Sequence, residues 1–170
     1  MGEYQSRAEL ESRLPHNQSI LIGKGAESPR RYYALEVEAP NQETLTIGII
    51  SSHHGIRPAW IVSPDRATAA IGYDSSVTFV SLMDLKVLAD DYLDGVFFRF
   101  IDQPELDRVL VLHELGVTNF DFSGRELWSV PTPDIAESAQ LIGEATISVR
   151  HQGEGREMLV DLRSGSLISS

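Results

Sequence analysis

The 170-residue chain contains no cysteine. A disulfide framework and a thiolate site of any kind are therefore excluded. That composition fits a reducing compartment, and a cytoplasmic location is expected. Long apolar runs are also missing: none approaches the roughly 20 residues needed to span a bilayer. The N-terminus lacks the apolar core of a signal peptide, so no membrane partner is expected. Basic residues are scarce, 14 against 25 acidic ones, for a net charge of −11. Such a field repels phosphate backbones and argues against nucleic acid, while it attracts a basic partner protein. Solubility alone would also account for it.

What is present points to a packed fold. With 42% hydrophobic and 23% charged residues, the chain has enough apolar surface to bury a core. Its length suits a single domain over residues 1–170. Within it a pattern returns. VTFVSLMDLKVL at 77–88 and VTNFDFSGRELW at 117–128 both begin Val-Thr, a period of 40 residues. A further period takes Asp121-Phe122 to Asp161-Leu162, inside LVDLRSGSLI at 159–168. Ser123-Gly124 then corresponds to Ser164-Gly165, with one extra residue in the last copy. Repeats of this length usually mark one supersecondary unit stacked on the next.

The unit reads as β-structure. From Val117 to Phe122 alternate residues fall on opposite faces, as in a half-buried strand. Ser123-Gly124 supplies a turn, where glycine takes a positive φ without steric cost. Glu126 to Val130 would return antiparallel. Asp121 and Asp161, each just before a turn, are placed to accept hydrogen bonds from the turn amides.

A strand ending in Asp, a Ser-Gly turn and a returning strand resemble the outer hairpin of a β-propeller blade of the quinoprotein and WD-like classes. The resemblance covers roughly 57–170 and is incomplete: there is no Trp-Asp dipeptide, and the first copy has Met83-Asp84 at the turn. It implies a mainly β fold, an antiparallel meander of blade-like hairpins with a short N-terminal helix. An ordinary meander with similar hairpins is the plainer alternative. Three units fall short of a closed propeller, which needs four to eight blades.

Ser6-Arg7-Ala8-Glu9 has the form of a capping box, with Leu10 and Leu14 on one helical face and Pro15 ending the helix. Residues 1–56 then hold that helix, a short strand at Ile20 to Ile22, and a hairpin from Tyr32–Ala39 and Thr44–Ile50 that could cover the edge of the first unit. Three units of about 40 residues occupy 57–170. Lys86 to Leu88 reads as a weak strand, Asp90 to Gly95 as a solvated acidic turn, and Asp134 to Leu141 as a short helix. Leu159, Val160, Leu162, Leu167 and Ile168 would leave an apolar face open at the last unit. Self-pairing as a homodimer would cover it.

Candidate chemistry is sparse. His53-His54 follows a strand, with Arg57 nearby to hold an anion, and this loop is the most suggestive ligand-binding position. Adjacent side chains of an extended segment point apart, so the two rings do not make a metal pair. His113-Glu114 lacks the second histidine of the zinc-protease helix, because Val117 stands there. Asp90 to Gly95 lacks the carboxylate that a calcium loop needs at its twelfth position, Ile101. No cofactor, metal or catalytic triad is expected. Trp60 and Trp128 sit in strands and read as core.

Two functions follow. The first is a non-enzymatic interaction protein whose acidic β surface, including Asp90, Asp91, Asp94, Glu105 and Asp107, engages a basic partner protein. An inhibitor or immunity-type protein that masks a basic active site is one form of it. The second is a small-molecule enzyme or ligand-binding domain with its site at His53, His54 and Arg57.

Overall fold

A computed structural model describes residues 1–23, 30–52, 55–101, 107–153 and 157–168. The chain opens with a three-residue strand, β1 (Gly2–Tyr4), and the helix α1 (Arg7–Arg13). Ser6 caps the helix, its hydroxyl accepting from the Glu9 amide at 3.2 Å. The Glu9 carboxylate reaches back to the Gln5 amide at 2.9 Å, one residue earlier than the usual reciprocal bond.

Beyond the helix come β2 (Ser19–Ile22), β3 (Arg31–Glu38) and β4 (Thr44–Ser51). They assemble in the order β1-β3-β4-β2, with β2 parallel to β4 and the other pairs antiparallel. This sheet has two covered faces. On one, Leu10 is fully buried, and a Cβ on Gly48 would lie 2.8 Å from Leu21, with Leu14 and Leu10 at 3.1 and 3.4 Å. On the other, Leu35, Ile47 and Ile49 are fully buried against the next sheet. The N-terminal hairpin therefore covers the face of the first unit and not its edge. A pleated apolar face removes far more surface from water than an edge does.

Three similar sheets follow. The first holds β5 (Ala59–Val62), β6 (Thr68–Tyr73), β7 (Ser76–Ser81) and β8 (Lys86–Tyr92). The second holds β9 (Phe97–Ile101), β10 (Arg108–His113), β11 (Gly116–Asp121) and β12 (Glu126–Pro131). Each is a four-stranded antiparallel meander in sequence order. The third holds β13 (Ala136–Ile142), β14 (Thr146–His151) and β15 (Glu157–Asp161), after which Leu167 makes a single bridge to Val160.

The 40-residue period survives in the backbone. A register shift falls between Phe79 and Val80 in the first unit and between Asn119 and Phe120 in the second. The crossings between units repeat as well. Phe97 N donates to Asp74 O and Ala136 N to Glu114 O, at 2.6 and 2.7 Å. Leu93 N donates to Ser75 O and Thr132 N to Leu115 O, both at 2.9 Å. Equivalent amides thus seat each sheet on the one before it.

The turns behave as their aspartates imply. Asp121 Oδ1 accepts from the amides of Ser123 and Arg125 at 2.9 and 3.1 Å. Asp161 Oδ1 accepts from the amides of Arg163 and Ser164 at 3.1 and 2.8 Å. Ser81 holds the equivalent place in the first unit, where Asp84 pairs with Lys86 at 2.9 Å and Leu85 carries the positive φ of 51°.

Strand alternation splits the apolar residues between two interfaces. Ala69, Ile71 and Tyr73 of β6 face the N-terminal sheet, while Ala70, Val77 and Phe79 join Phe97, Val109 and Phe120 of the second unit. Leu110, Leu112, Val117 and Trp128 face the third, against Ala139, Ile147 and Val160. The four sheets are stacked face to face.

Three further expectations change. Asp134 to Leu141 is not a helix: Ala136–Ile142 is strand β13, because Ala136 and Ala139 pack on the second unit and the segment pairs with β14. Asp90 and Asp91 lie within β8, a strand of seven residues, not in a turn. Of the five residues expected on an open apolar face, Val160 and Leu162 turn inward, whereas Leu167 and Ile168 are exposed. The register aligns Ser148 with Leu159 and Gln140, and Arg150 with Glu157 and Ser138, on the outward face. An Arg150–Glu157 ion pair at 3.0 Å crosses it.

Candidate functional site

The acidic residues do not gather on one face. Asp90 is exposed on β8 and accepts from Thr78 Oγ1 at 2.7 Å. Asp91 is half-buried, and burial together with the neighbouring Asp90 pushes its carboxyl above the usual range. Asp94, exposed in the crossing that follows, acts on His113 at the far end of β10. Asp107 is exposed at the near end of β10, beside the Arg108–Asp121 pair. Asp90, Asp91 and Asp94 therefore share one end of the stack, and Asp107 belongs to the other. Glu105 lies outside the described residues.

His53 and His54 also lie outside the described residues. Arg57 is 76% exposed and pairs with Glu3 at 3.8 Å, and Glu3 is bound in turn by Arg31. Its charge is thus engaged by β1, a strand that sequence reading did not foresee. A three-residue strand carries too little periodicity to be legible.

The hairpin end of the stack carries polar chains that repeat. In the first unit Tyr73 Oη lies 3.0 Å from Thr78 Oγ1, which donates to Asp90. Burial is the main reason that the Tyr73 phenol is pushed up to about 12. In the second unit His113 Nε2 lies 3.0 Å from Thr118 Oγ1, which is 2.9 Å from Ser129 Oγ. Burial pushes His113 below the usual histidine value, against the opposing pull of Asp94. His113 is thus neutral near pH 7. Tyr73, His113 and His151 end β6, β10 and β14, so the two histidines sit on successive sheets with separate partners. Asp74 ties this end to the N-terminal sheet through Ser51 Oγ at 2.7 Å and the Ser52 amide at 2.6 Å.

The third unit has no such chain. Met158 stands three residues before Asp161, where Thr78 and Thr118 stand before Ser81 and Asp121. Here a cavity of about 420 Å³ opens between the crossing at Pro133-Asp134 and the end of β14 at His151. Gly153, Glu157 and Met158 complete its wall. Nothing in the sequence pattern marks this place except that His151 repeats the position of His113.

Trp128 is buried and donates from Nε1 to Leu162 O at 3.1 Å, whereas Trp60 on β5 is 38% exposed. Trp60 is therefore less enclosed than its strand position implied. Among the described residues no helix is long and apolar enough to cross a membrane.

Stacked, mostly antiparallel sheets with Asp-led outer hairpins in the second and third units define a β-propeller-like repeat fold. Solved structures agree. The chain resembles a structure described as dihydro-heme d1 dehydrogenase NirN in complex with DHE, at 11% identity and a TM-score of 0.56 over 76% of this chain and 30% of that one. It also resembles Kuenenia stuttgartiensis hydrazine synthase, at 14% identity and a TM-score of 0.57 over 92% of this chain and 49% of that one. The match spans less than half of either neighbour's length, and the likeness is one of fold. No protein-family model and no curated protein matches the sequence.

Proposed function

We propose that this chain is a non-enzymatic protein-interaction module that presents an acidic, partly apolar surface to a basic partner protein. Tyr92 carries the reading. It is 74% exposed at the end of edge strand β8, with Asp90 and Asp94 exposed on either side. A large aromatic left in water between carboxylates offers a partner apolar contact and charge together. Gly95 packs against Glu114 and the Leu115 amide, so Leu115, 43% exposed, extends the patch onto the second unit. Masking of a basic active site, as an inhibitor or immunity-type protein would do, is the finer form of this reading, and the net charge of −11 supports it.

The test compares the native chain with the double variant Tyr92→Ala, Asp94→Arg as bait in native lysate. The expected result is a basic protein that the native chain retains at low salt. The variant should lose it, and so should the native chain at about 0.3 M salt, where the Debye length falls to several ångströms. If both baits retain the same proteins at matched stability, the surface is not the binding face.

A further inference from the structure

The cavity of the third unit lies apart from Tyr92 and Asp94 and has its own chemistry. We infer that it is a binding site for an alkylammonium group, supplied by a small free amine or by a lysine side chain. The inference does not rest on the partner surface proposed above.

The cavity exists because the third unit departs from the second at matched positions. In the second unit Glu114 closes this region: its Oε2 accepts from Val96 N at 3.3 Å, and its Cβ lies against Gly95. Glu114 N donates to Val96 O, and Gln152 N makes the equivalent bond to Ile135 O at 2.8 Å. After Gln152 comes Gly153, with φ +88° and no side chain to fill the space. Met158 replaces the threonine that would bridge to the ring, so His151 must find another partner.

That partner fixes the ring's chemistry. His151 is 8% exposed, and its Nδ1 lies 3.0 Å from the carbonyl oxygen of Gln152. A carbonyl only accepts, so Nδ1 carries a proton directed at Gln152 O. The wall also carries two carboxylates, Asp134 and Glu157, beside the Gln152 side-chain amide, which both donates and accepts. Asp134 gives one oxygen to the Ile135 amide at 2.8 Å and keeps the other toward Gly153. Glu157 is anionic, with its charge partly met by Arg150 at 3.0 Å. Among the described residues no lysine or arginine lines the cavity. The Met158 thioether and the Pro133 ring supply an apolar side. Two carboxylates in one cavity with the hydrocarbon of Met158 and Pro133 match a protonated amine on a short alkyl chain. The volume falls within the roughly 300–1,000 Å³ of small-ligand sites.

The test uses the full chain with isotope-labelled histidine and methionine, followed by NMR. The probes are n-butylammonium, acetyl-lysine methylamide and, as the neutral control, n-butanol. Saturable shifts at the His151 ring and the Met158 methyl, with a dissociation constant on the order of millimolar, are expected for an ammonium probe and not for butanol. Saturation by both ammonium probes means that a free amine suffices. Saturation by the lysine derivative alone assigns the site to a lysine side chain, and either result supports the inference. Asp134→Asn keeps an oxygen for the Ile135 amide and removes the charge, and it should weaken binding at least about fivefold. The inference is overturned if neither ammonium probe saturates, if butanol binds equally, or if Asp134→Asn binds as the native chain does.

Discussion

Gly165 and Trp128 meet so closely that a methyl group on Gly165 would lie 2.7 Å from the indole Cγ. The same relationship exists one unit earlier. A Cβ on Gly124 would lie 2.2 Å from the Cβ of Ala89. Ala89 pairs with Phe79 and Trp128 with Asn119, so they are equivalent residues of successive units. Each Asp-led turn therefore docks on the outer strand of the unit before it.

Gly143, in the hairpin between β13 and β14, separates conformation from contact. Its φ is +64°, against +70° at Gly165, yet nothing lies within 4 Å of its missing side chain. Gly143→Ala should cost about 1 kcal/mol for the left-handed backbone alone. Gly165→Ala should cost at least about 1 kcal/mol more, because the indole is held by its bond to Leu162 O and cannot yield. Equal urea midpoints for the two variants would mean that the turn does not bear on Trp128.

A second measurement concerns the turn carboxylates. Asp121→Ala should cost about 1 kcal/mol, because two turn amides lose their acceptor, whereas the exposed Glu126→Ala should stay within about 0.5 kcal/mol. Burial pushes the Asp121 carboxyl up, but the hydrogen bonds from Ser123 and Arg125 outweigh it and hold the group below its ordinary 3.8. Its stabilising effect is then complete above that value and disappears as pH falls through the lower folded pKa. Urea melts from pH 5 downward should show a shallower acid loss in Asp121→Ala than in the native chain.

His113 predicts a pH effect at a milder pH. Burial lowers its folded pKa below 6.5, so the unfolded chain binds more protons just below that value. Stability is full above about pH 6.5 and falls as pH drops below it. His113→Tyr copies the Tyr73–Thr78 contact of the first unit and cannot titrate in this range. The difference in unfolding free energy between pH 7.5 and 5.5 should shrink in the variant. An unchanged difference would remove His113 from the acid response.

Asn119 is fully buried, and neither atom of its amide has a hydrogen-bond partner. The matching positions one period away hold Phe79 and Leu159, both apolar. A buried unpaired amide opposes folding by about 1–3 kcal/mol. Asn119→Leu, close to isosteric, should therefore raise the thermal midpoint. A drop of several degrees would show that the amide is satisfied in solution.

Much of the architecture was written locally. Val-Thr at 77 and 117, the turn aspartates and the glycines after them specify hairpins through alternation and positive φ, which neighbouring residues alone can encode. Ser6 and Glu9 set the start of α1 in the same way. Strand β13 was not legible, because Ala136 to Ile142 has no strong β propensity and becomes a strand only by pairing with β14 and seating its alanines on the second unit. Asp90 and Asp91 reside in a strand for a similar reason: Thr78 and Val77 pair with them across the sheet. The inward turn of Val160 and Leu162 depends on which face of the third sheet meets the second, a choice fixed by the crossing at Thr132 to Ala136. The cavity at His151 is the most tertiary feature of all. It arises from a glycine, a methionine and a crossing loop whose residues are unremarked in the chain and meet only when the third sheet docks on the second.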